Sequence, residues 1–180
     1  MEALNRVCEE IGGQVLAEAG GCSTAIVLVG MIGSGKSTFA KWFAKRGMML
    51  AWEDALIESY HGGVYGYRLD LQMQYLDAMT EVAVYWAGQG MNVVLDSTNH
   101  TVARRAKIQA RLKAITPGIK LYAIEMPRLP SRQHAEIRNQ HDTRGYGEDR
   151  WQRVAAEHEA EYEQVDDIEG FDRVWRPVFE

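Results

Sequence analysis

The sequence is poor in cysteine and has no long hydrophobic run. Its 180 residues include two cysteines, Cys8 and Cys22, too few and too close to the amino terminus for a disulfide framework or a metal cluster, so free thiols in a reducing compartment are expected. No apolar stretch reaches the roughly 20 residues that a transmembrane helix requires. The first residues, MEALNRVCEE, lack the basic-then-apolar order of a signal peptide. We therefore expect a cytoplasmic protein.

An excess of positive charge is also missing. The formal net charge is −5 at pH 7, which argues against a protein that coats nucleic acid through a wide basic face, because such binding depends on many phosphate contacts. A local basic pocket remains compatible with this charge. A length of 180 residues with 46% hydrophobic content fits one compact domain with a real core.

Short apolar runs alternate with helical patterns along the chain. Residues 25–29 and 92–95 are continuous apolar runs rich in β-branched side chains, as expected for strands buried on both faces of a sheet. Weaker strand candidates are 48–52, 120–126 and 173–176. Helical patterns cover 37–45, 54–60, 69–86 and 101–115. This alternation predicts βαβ units and an α/β fold with a parallel sheet covered on both sides.

A further helix is predicted at the amino end. Residues 2–19 carry apolar side chains close to helical spacing, at Leu4, Val7, Ile11, Val15 and Leu16, although Gly12 and Gly13 weaken the pattern. We predict a helical extension over residues 1–22, followed by one domain over residues 23–180.

Two other segments carry specific expectations. In the predicted helix 69–86 one face should hold Met73, Leu76, Met79 and Val82. Residues 61–67, HGGVYGY, interrupt the alternation. A glycine- and tyrosine-bearing segment of this kind is either a mobile substrate gate or an ordinary solvent loop. We call residues 61–67 the tyrosine loop.

A glycine-rich turn is the most specific motif. Gly30, Gly35, Lys36 and Ser37 satisfy GxxxxGK(S/T) between a predicted strand and a predicted helix, the context that the phosphate-binding loop requires. Inward-pointing backbone N–H groups and the positive helix terminus would hold a phosphate chain. The alternative is a tight turn without a ligand. The expected contacts to an ATP-type nucleotide are Gly30, Ile32, Gly33, Ser34, Gly35, Lys36, Ser37 and Thr38.

Two residues of this phosphate loop have individual roles in that prediction. Lys36 would reach the outer phosphates, and the Ser37 hydroxyl would ligate a magnesium ion that bridges them.

Acidic side chains follow the second predicted strand. In open α/β sheets the ligand crevice lies beyond the carboxyl ends of the strands, where Glu53 and Asp54 occur in WEDALIE. Phosphoryl transfer needs a carboxylate that aligns the acceptor hydroxyl and takes its proton. Either residue could do so, and the alternative role is stabilisation of the first helical turn.

A second polar cluster follows the strand 92–95. Asp96 ends this apolar run in LDSTN and could complete the magnesium shell or orient the acceptor, or it could simply end the strand. Thr98 and Asn99 come next and are candidate acceptor contacts.

Arginines form the last group of candidates. Residues 131–150 hold Arg132, Arg138, Arg144 and Arg150, of which Arg138 and Arg144 could neutralise the transferred phosphoryl group from a closing lid. A solvated basic helix face is the alternative. Arg104 and Arg105 could grip an acceptor phosphate or line an exposed helix. Arg68 is a further candidate acceptor contact.

Taken together, these segments resemble the P-loop kinases of the 5′-hydroxyl polynucleotide kinase type. VGMIGSGKSTFAK is similar to their phosphate loop, VVLDSTNHTVARR to their aspartate-x-threonine-asparagine segment with its paired arginines, EIRNQHDTR to their lid start and EGFDRVW to their closing strand. The similarity spans about residues 24–177. It implies a three-layer P-loop kinase fold with an arginine-bearing lid.

The resemblance also implies an activity, namely transfer of phosphate from ATP with Mg²⁺ to the 5′-hydroxyl end of RNA or DNA. It assigns Lys36 and Ser37 to nucleotide and magnesium, Asp54 or Glu53 to the base, Asp96 to acceptor support and a lid arginine to the phosphates. Of the two acids we favour Asp54. The runner-up acceptor is a small molecule such as a nucleoside, sugar or antibiotic, and a third reading is a nucleotide-switched binding protein.

The sequence departs from this family at two places. The family's base is usually followed three residues later by an arginine that holds the acceptor phosphate, where this chain has Leu56 or Ile57. The expected second lid arginine falls near Asp142, so Arg144 has to replace it.

Overall fold

The computed structural model describes residues 2–20 and 23–179, so Cys22 lies outside the described residues. Five strands are present, β1 (Thr24–Val29), β2 (Met49–Trp52), β3 (Val93–Asp96), β4 (Lys120–Glu125) and β5 (Arg173–Trp175). Seven α-helices are described, α1 (Glu2–Ala19), α2 (Lys36–Ala44), α3 (Glu53–Tyr60), α4 (Gln72–Gly88), α5 (Val102–Ile115), α6 (Ser131–Gln140) and α7 (Glu148–Glu161).

The strands form one parallel sheet in the order β2-β3-β1-β4-β5. β1 is central, with Ala25 opposite Val93 on one side and Leu121 on the other. Because all strands run in the same direction, their carboxyl ends share one edge, where the phosphate loop, α3 and the residues after β3 begin. The predicted parallel α/β fold with helices on both faces is confirmed.

Alternate side chains of β1 enter two different apolar clusters. Val27 and Val29 pack with residues of α4 and α5, whereas Ile26 and Leu28 pack with residues of α1 and α2. All six residues of β1 are buried. This double burial is why the strand reads as an uninterrupted apolar run rather than as an alternating one.

α1 is an unbroken helix that packs on α2, and Gly12 allows the close approach. A Cβ on Gly12 would lie 2.4 Å from the Trp42 ring. The ring is held in place by the Trp42 Nε1 hydrogen bond to Glu9 at 2.9 Å and by the Arg46 guanidinium 3.6 Å from its centroid. The division of the chain into residues 1–22 and 23–180 stays a prediction, although α1 shares its apolar cluster with the sheet.

The amino-terminal helix also contacts the phosphate loop. A Cβ on Gly35 would lie 3.0 Å from Leu4 Cδ2, and Gly35 has a φ of 94°. Val15 and Cys8 of the same helix are fully buried, and burial raises the pKa of the Cys8 thiol to about 11. Cys8 is a free thiol, as expected.

The predicted elements agree with the structure to within a few residues, with two exceptions. The segment predicted as a helix from residue 69 begins as a 3₁₀ turn, Leu69–Leu71, and Met73 is 47% exposed while Leu76 and Met79 are buried. The expectation that Met73 shares their face was therefore wrong, and Tyr75 takes its place in the buried face. The helices α6 and α7 were not predicted.

None of the helices in residues 2–20 and 23–179 is both long enough and apolar enough to cross a bilayer.

The two adjacent glycines of α1 allow a matched test of its docking. Gly12→Ala places a methyl group against the fixed Trp42 ring and is expected to lower the free energy of unfolding by about 1–3 kcal/mol. Gly13 has no atom within 4 Å of its Cβ position, so Gly13→Ala is expected to raise it by up to about 1 kcal/mol through helix propensity. Urea unfolding measures both, and equal shifts would contradict the packing described for α1.

Candidate phosphate-binding and transfer site

The phosphate loop, residues 30–37, is contacted by the segment after β3 and by α6. The Gly30 N–H donates to the Thr98 carbonyl at 2.9 Å, which ties the loop to the end of β3. Gly33 has a φ of 68°, and a Cβ there would lie 2.7 Å from the His134 carbonyl of α6. No side chain caps α2, so its amino-terminal N–H groups are not covered by a side-chain acceptor and can face an anion.

Lys36 lies folded into the loop and is buried. Its Nζ donates to the Met31 carbonyl at 2.6 Å and contacts Ser34 Oγ at 3.4 Å. Burial lowers the pKa of Lys36 to about 8, while the charges of Asp96 and Asp54 act in the opposite direction. The ammonium group therefore lies inside the cradle in which the motif would hold phosphate.

Asp96 faces this lysine from the end of β3 and is 4% exposed. Burial raises the pKa of Asp96 to about 6, although Lys36 and a hydrogen bond from Ser37 oppose the shift. Its Oδ2 is buried and has no hydrogen-bond partner.

The same pair of residues suits a hard cation. A carboxylate oxygen without a partner beside a serine hydroxyl provides the oxygen ligands that Mg²⁺ prefers, with bound phosphate and water completing the shell. Within the described ranges no cluster of three or more His, Cys, Asp or Glu side chains could hold a metal by itself. The residues present therefore fit magnesium bound together with a nucleotide, through Ser37 and Asp96.

Glu53 is held by the scaffold. Its Oε2 accepts from Ser97 Oγ at 2.5 Å, and its Oε1 accepts from Arg104 Nη2 at 2.9 Å. The two side chains of this ion pair are only 12% and 7% exposed. Both carboxylate oxygens are thus engaged, one by Ser97, which follows β3, and one by Arg104 of α5.

Asp54 is held by surface segments instead. Its Oδ2 accepts from Arg144 Nη2 at 2.5 Å, with Asp54 36% exposed. Tyr65 of the tyrosine loop hydrogen bonds to Asp54, and burial together with this carboxylate raises the pKa of the Tyr65 phenol. The Arg144 guanidinium lies 3.3 Å from the Tyr65 ring centroid, so the three side chains form one cluster.

Helices α6 and α7, with the connecting residues 141–147, form the lid. Ile32 of the phosphate loop packs against Ala135 and Trp151 of these helices. The Arg138 guanidinium lies 4.3 Å from the Trp151 ring centroid and donates to the His141 carbonyl at 3.0 Å. Burial and Arg144 lower the pKa of Arg138. Arg138 borders the phosphate loop, because a Cβ on Gly33 would lie 3.5 Å from the Arg138 Cβ, and Arg144 lies within electrostatic range of Arg138.

Arg105 is not available to a substrate. It is fully buried, and all five of its N–H donors are used by Glu169 and by three backbone carbonyls, those of Asn99, Glu163 and Gln164. This geometry contradicts the prediction that Arg105 grips an acceptor. Its role is to tie α5 to the segment that precedes β5.

Two further candidates do not reach the acceptor side as predicted. Asn99 is fully buried, has a φ of 45° and donates from Nδ2 to the Leu28 carbonyl at 2.8 Å, so it joins β3 to β1 and the prediction of an acceptor contact is wrong. Arg68 is exposed and pairs with its neighbour Asp70 at 2.6 Å. Nothing in its contacts connects Arg68 to the phosphate loop.

Several residues of the site were not individual candidates from the sequence, although Tyr67 belongs to the tyrosine loop. Tyr67 lies in electrostatic range of Glu53 and Arg104, and burial and Glu53 raise its pKa to about 12.

Asp142 accepts from the N–H groups of Arg144 at 2.8 Å and Tyr146 at 2.7 Å and so shapes the lid loop. His100 accepts from or donates to the Thr98 hydroxyl at 2.9 Å, and its position directly after the LDSTN segment could have indicated it.

A family model described as AAA domain matches residues 26–162, which is most of the chain. The chain belongs to the AAA-domain family. Within this family its fold is P-loop kinase-like, with the phosphate loop between β1 and α2. The comparison with curated proteins gives no match.

Several solved structures share the fold of this AAA-domain protein. APS kinase CysC of Mycobacterium tuberculosis, in complex with AMPPNP and APS, is 16% identical with a TM-score of 0.61 over 87% of this chain and 89% of that one. A gluconokinase from Sinorhizobium meliloti 1021 is 19% identical with a TM-score of 0.53, over 85% and 81%. A chain of the Pnkp1/Rnl/Hen1 RNA repair complex is 17% identical with a TM-score of 0.59, over 81% and 47%.

The lowered pKa of Lys36 predicts a pH dependence of nucleotide binding. Phosphate binds the protonated amine, so affinity should be constant below the pKa of about 8 and should fall above it, by at most about tenfold per pH unit. Titration with ATP in the absence of metal, between about pH 7.5 and 9.5, measures this. The variant Lys36→Met should bind more weakly and without this pH dependence, and the same decline in both proteins would argue against a role for Lys36.

Proposed function

We propose that this protein is an ATP-dependent phosphotransferase whose acceptor is a hydroxyl group. The observation that supports it most directly is the convergence of opposite charges on the phosphate loop. Lys36 lies in electrostatic range of Asp96, Asp54 and Glu53 on one hand and of Arg138 on the other. Cations for the phosphates and a carboxylate for the acceptor proton are what phosphoryl transfer requires.

Asp54 is the residue we propose as general base. Its partners, Arg144 and Tyr65, belong to the lid and to the tyrosine loop, which can move away when substrates enter. Glu53 is held by Ser97 and Arg104 of the scaffold and is less exposed. We therefore assign Glu53 to positioning.

The proposed reaction is a direct in-line transfer. The acceptor oxygen forms a bond to the γ-phosphorus and its proton passes to Asp54, while the bond from the γ-phosphorus to the bridging oxygen breaks and the electron pair leaves with ADP. Lys36, Arg138 and Arg144 would neutralise charge on the phosphoryl oxygens. A magnesium ion held by Ser37 and Asp96 would supply further charge neutralisation.

Two acceptor classes are compatible with this proposal. The resemblance of the phosphate loop, the LDSTN segment and the lid favours a 5′-hydroxyl end of RNA or DNA, and the chain shares its fold with a component of an RNA repair complex. It also shares its fold with a gluconokinase and an APS kinase. The buried ion pair between Arg104 and Glu53 favours a small molecule as acceptor.

A transfer assay tests the proposed function. The full chain is incubated with Mg²⁺, ATP labelled in the γ position, and 5′-hydroxyl RNA, DNA, nucleosides or sugars. We expect label in an acceptor, and no label with Lys36→Ala, because that variant loses contacts to phosphate rather than to the core. A wild-type protein that binds ATP and labels no acceptor would instead be a nucleotide-switched binding protein.

Substitution of the two acids distinguishes base from positioning residue. Asp54→Asn should lower kcat by about 10²-fold or more, since it removes the proton acceptor, with little change in the KM for ATP. Glu53→Gln should lower kcat less. Steady-state kinetics with a labelled acceptor decides between them, and the opposite order of the two effects would assign the base to Glu53.

A further inference from the structure

We infer that the acceptor is a small alcohol that carries no anionic group, because the cations on the acceptor side are already compensated by carboxylates of this chain. The inference rests on the proposed transfer of phosphate from ATP. It goes further by naming the class of acceptor, and it excludes a polynucleotide end.

The ion pair of Arg104 is the first observation. The sequence made this arginine a candidate to grip an acceptor phosphate, but its Nη2 donates to Glu53 at 2.9 Å and to Ser97 at 3.1 Å. The Arg104 and Glu53 side chains are almost completely buried. A phosphate placed on this guanidinium would lie beside the Glu53 carboxylate, and separating a buried ion pair leaves one of its charges uncompensated.

Three of the other candidate arginines also pair with carboxylates, whereas Arg138, which we assign to the phosphates of ATP, donates to the His141 carbonyl. Arg144 is bonded to Asp54 at 2.5 Å, Arg105 to Glu169 at 2.6 Å and Arg68 to Asp70 at 2.6 Å. Arg144 is on the lid and can turn to the phosphates of ATP, which frees Asp54 for the acceptor hydroxyl. After that movement the acceptor faces the uncompensated carboxylate of Asp54, which repels an anion, beside the neutral ion pair of Arg104 and Glu53.

The first turns of α3 offer no replacement for the arginine that the resembling family has after its base. Leu56 packs against the apolar cluster of α4 and α5, and Ile57 is 1% exposed. Whichever acid is the base, the residue three positions later faces the protein interior rather than a bound substrate. A cation at either position would have to be buried in apolar surroundings.

What the acceptor side does offer suits an uncharged molecule. Tyr65 of the tyrosine loop hydrogen bonds to Asp54, and Tyr67 lies within electrostatic range of Glu53. The aromatic rings can provide apolar contact, and the Asp54 carboxylate can accept a hydrogen bond from a hydroxyl group. Aromatic rings and a hydrogen-bond acceptor together recognise the hydroxyl groups of a neutral molecule.

Separation of acceptors by charge tests this inference. A small-molecule cell extract is divided on an anion-exchange resin into an unbound fraction and an eluted anionic fraction. Each fraction is incubated with the full chain, Mg²⁺ and γ-labelled ATP, and 5′-hydroxyl oligonucleotides serve as a third arm. The variant Lys36→Ala is the blank in all three arms. We expect label transfer to the unbound fraction, at least tenfold above either other arm. Label confined to the anionic fraction or to oligonucleotides would overturn the inference and leave the phosphotransferase proposal standing. Absence of label in all three arms would reject both.

A matched pair of variants tests the cause. Glu53→Gln removes the charge that compensates Arg104, so inorganic phosphate should inhibit this variant competitively with the acceptor, with an inhibition constant at least tenfold lower than for the wild type. Glu81→Gln makes the same change in an exposed ion pair with Arg111 and should behave as the wild type. Equal inhibition of the wild type and Glu53→Gln, or inhibition competitive only with ATP, would contradict the proposed role of Glu53.

Discussion

The burial of Lys36 opposite Asp96 is the constraint on which the rest of the site depends. Burial removes both side chains from water and disfavours their charged forms, so the pKa of Lys36 falls and the pKa of Asp96 rises. The opposite charge of the partner reduces each shift. The sheet can place them together because β1 and β3 are neighbours and end at the same edge. A bound anion would stabilise the charge of Lys36, and a bound cation would stabilise the charge of Asp96.

Around this pair the site consists of ion pairs that join different elements of the chain. Glu53 with Arg104 joins α3 to α5, and Asp54 with Arg144 joins α3 to the lid. The first pair is buried and belongs to the scaffold, whereas the second involves a segment that sits at the surface and contacts the tyrosine loop through the Tyr146 hydroxyl and the Tyr65 carbonyl. In the proposed mechanism the second pair is the one that separates, so that entry of substrates also frees the Asp54 carboxylate.

The sheet and the phosphate loop were predictable from sequence, because their signals are local. β1 and β3 are buried on both faces and therefore appear as apolar runs, and the glycines, lysine and serine of the loop are adjacent in the chain. α6 and α7 escaped prediction since each buries only two residues in the structure, His134 and Ala135 in one and Trp151 and Ala155 in the other. With only two buried residues, neither helix shows apolar residues that repeat at helical spacing in the sequence.

The roles of adjacent arginines were not predictable for a related reason. Arg104 and Arg105 are neighbours in sequence, yet most partners of Arg105 come from residues more than fifty positions further along the chain. The partners of Arg104 come from α3 and from the residue that follows β3. Only the folded chain brings these partners together. The same holds for Gly12, which weakens the helical pattern and nevertheless fits the Trp42 ring.

The contact of Leu4 with Gly35 links the amino-terminal helix to the phosphate loop. The residue before Lys36 is packed against a side chain of the first helical turn, so the position of α1 bears on the shape of the loop. A shortened chain that begins at β1 would lose this packing even though every residue of the motif were still present.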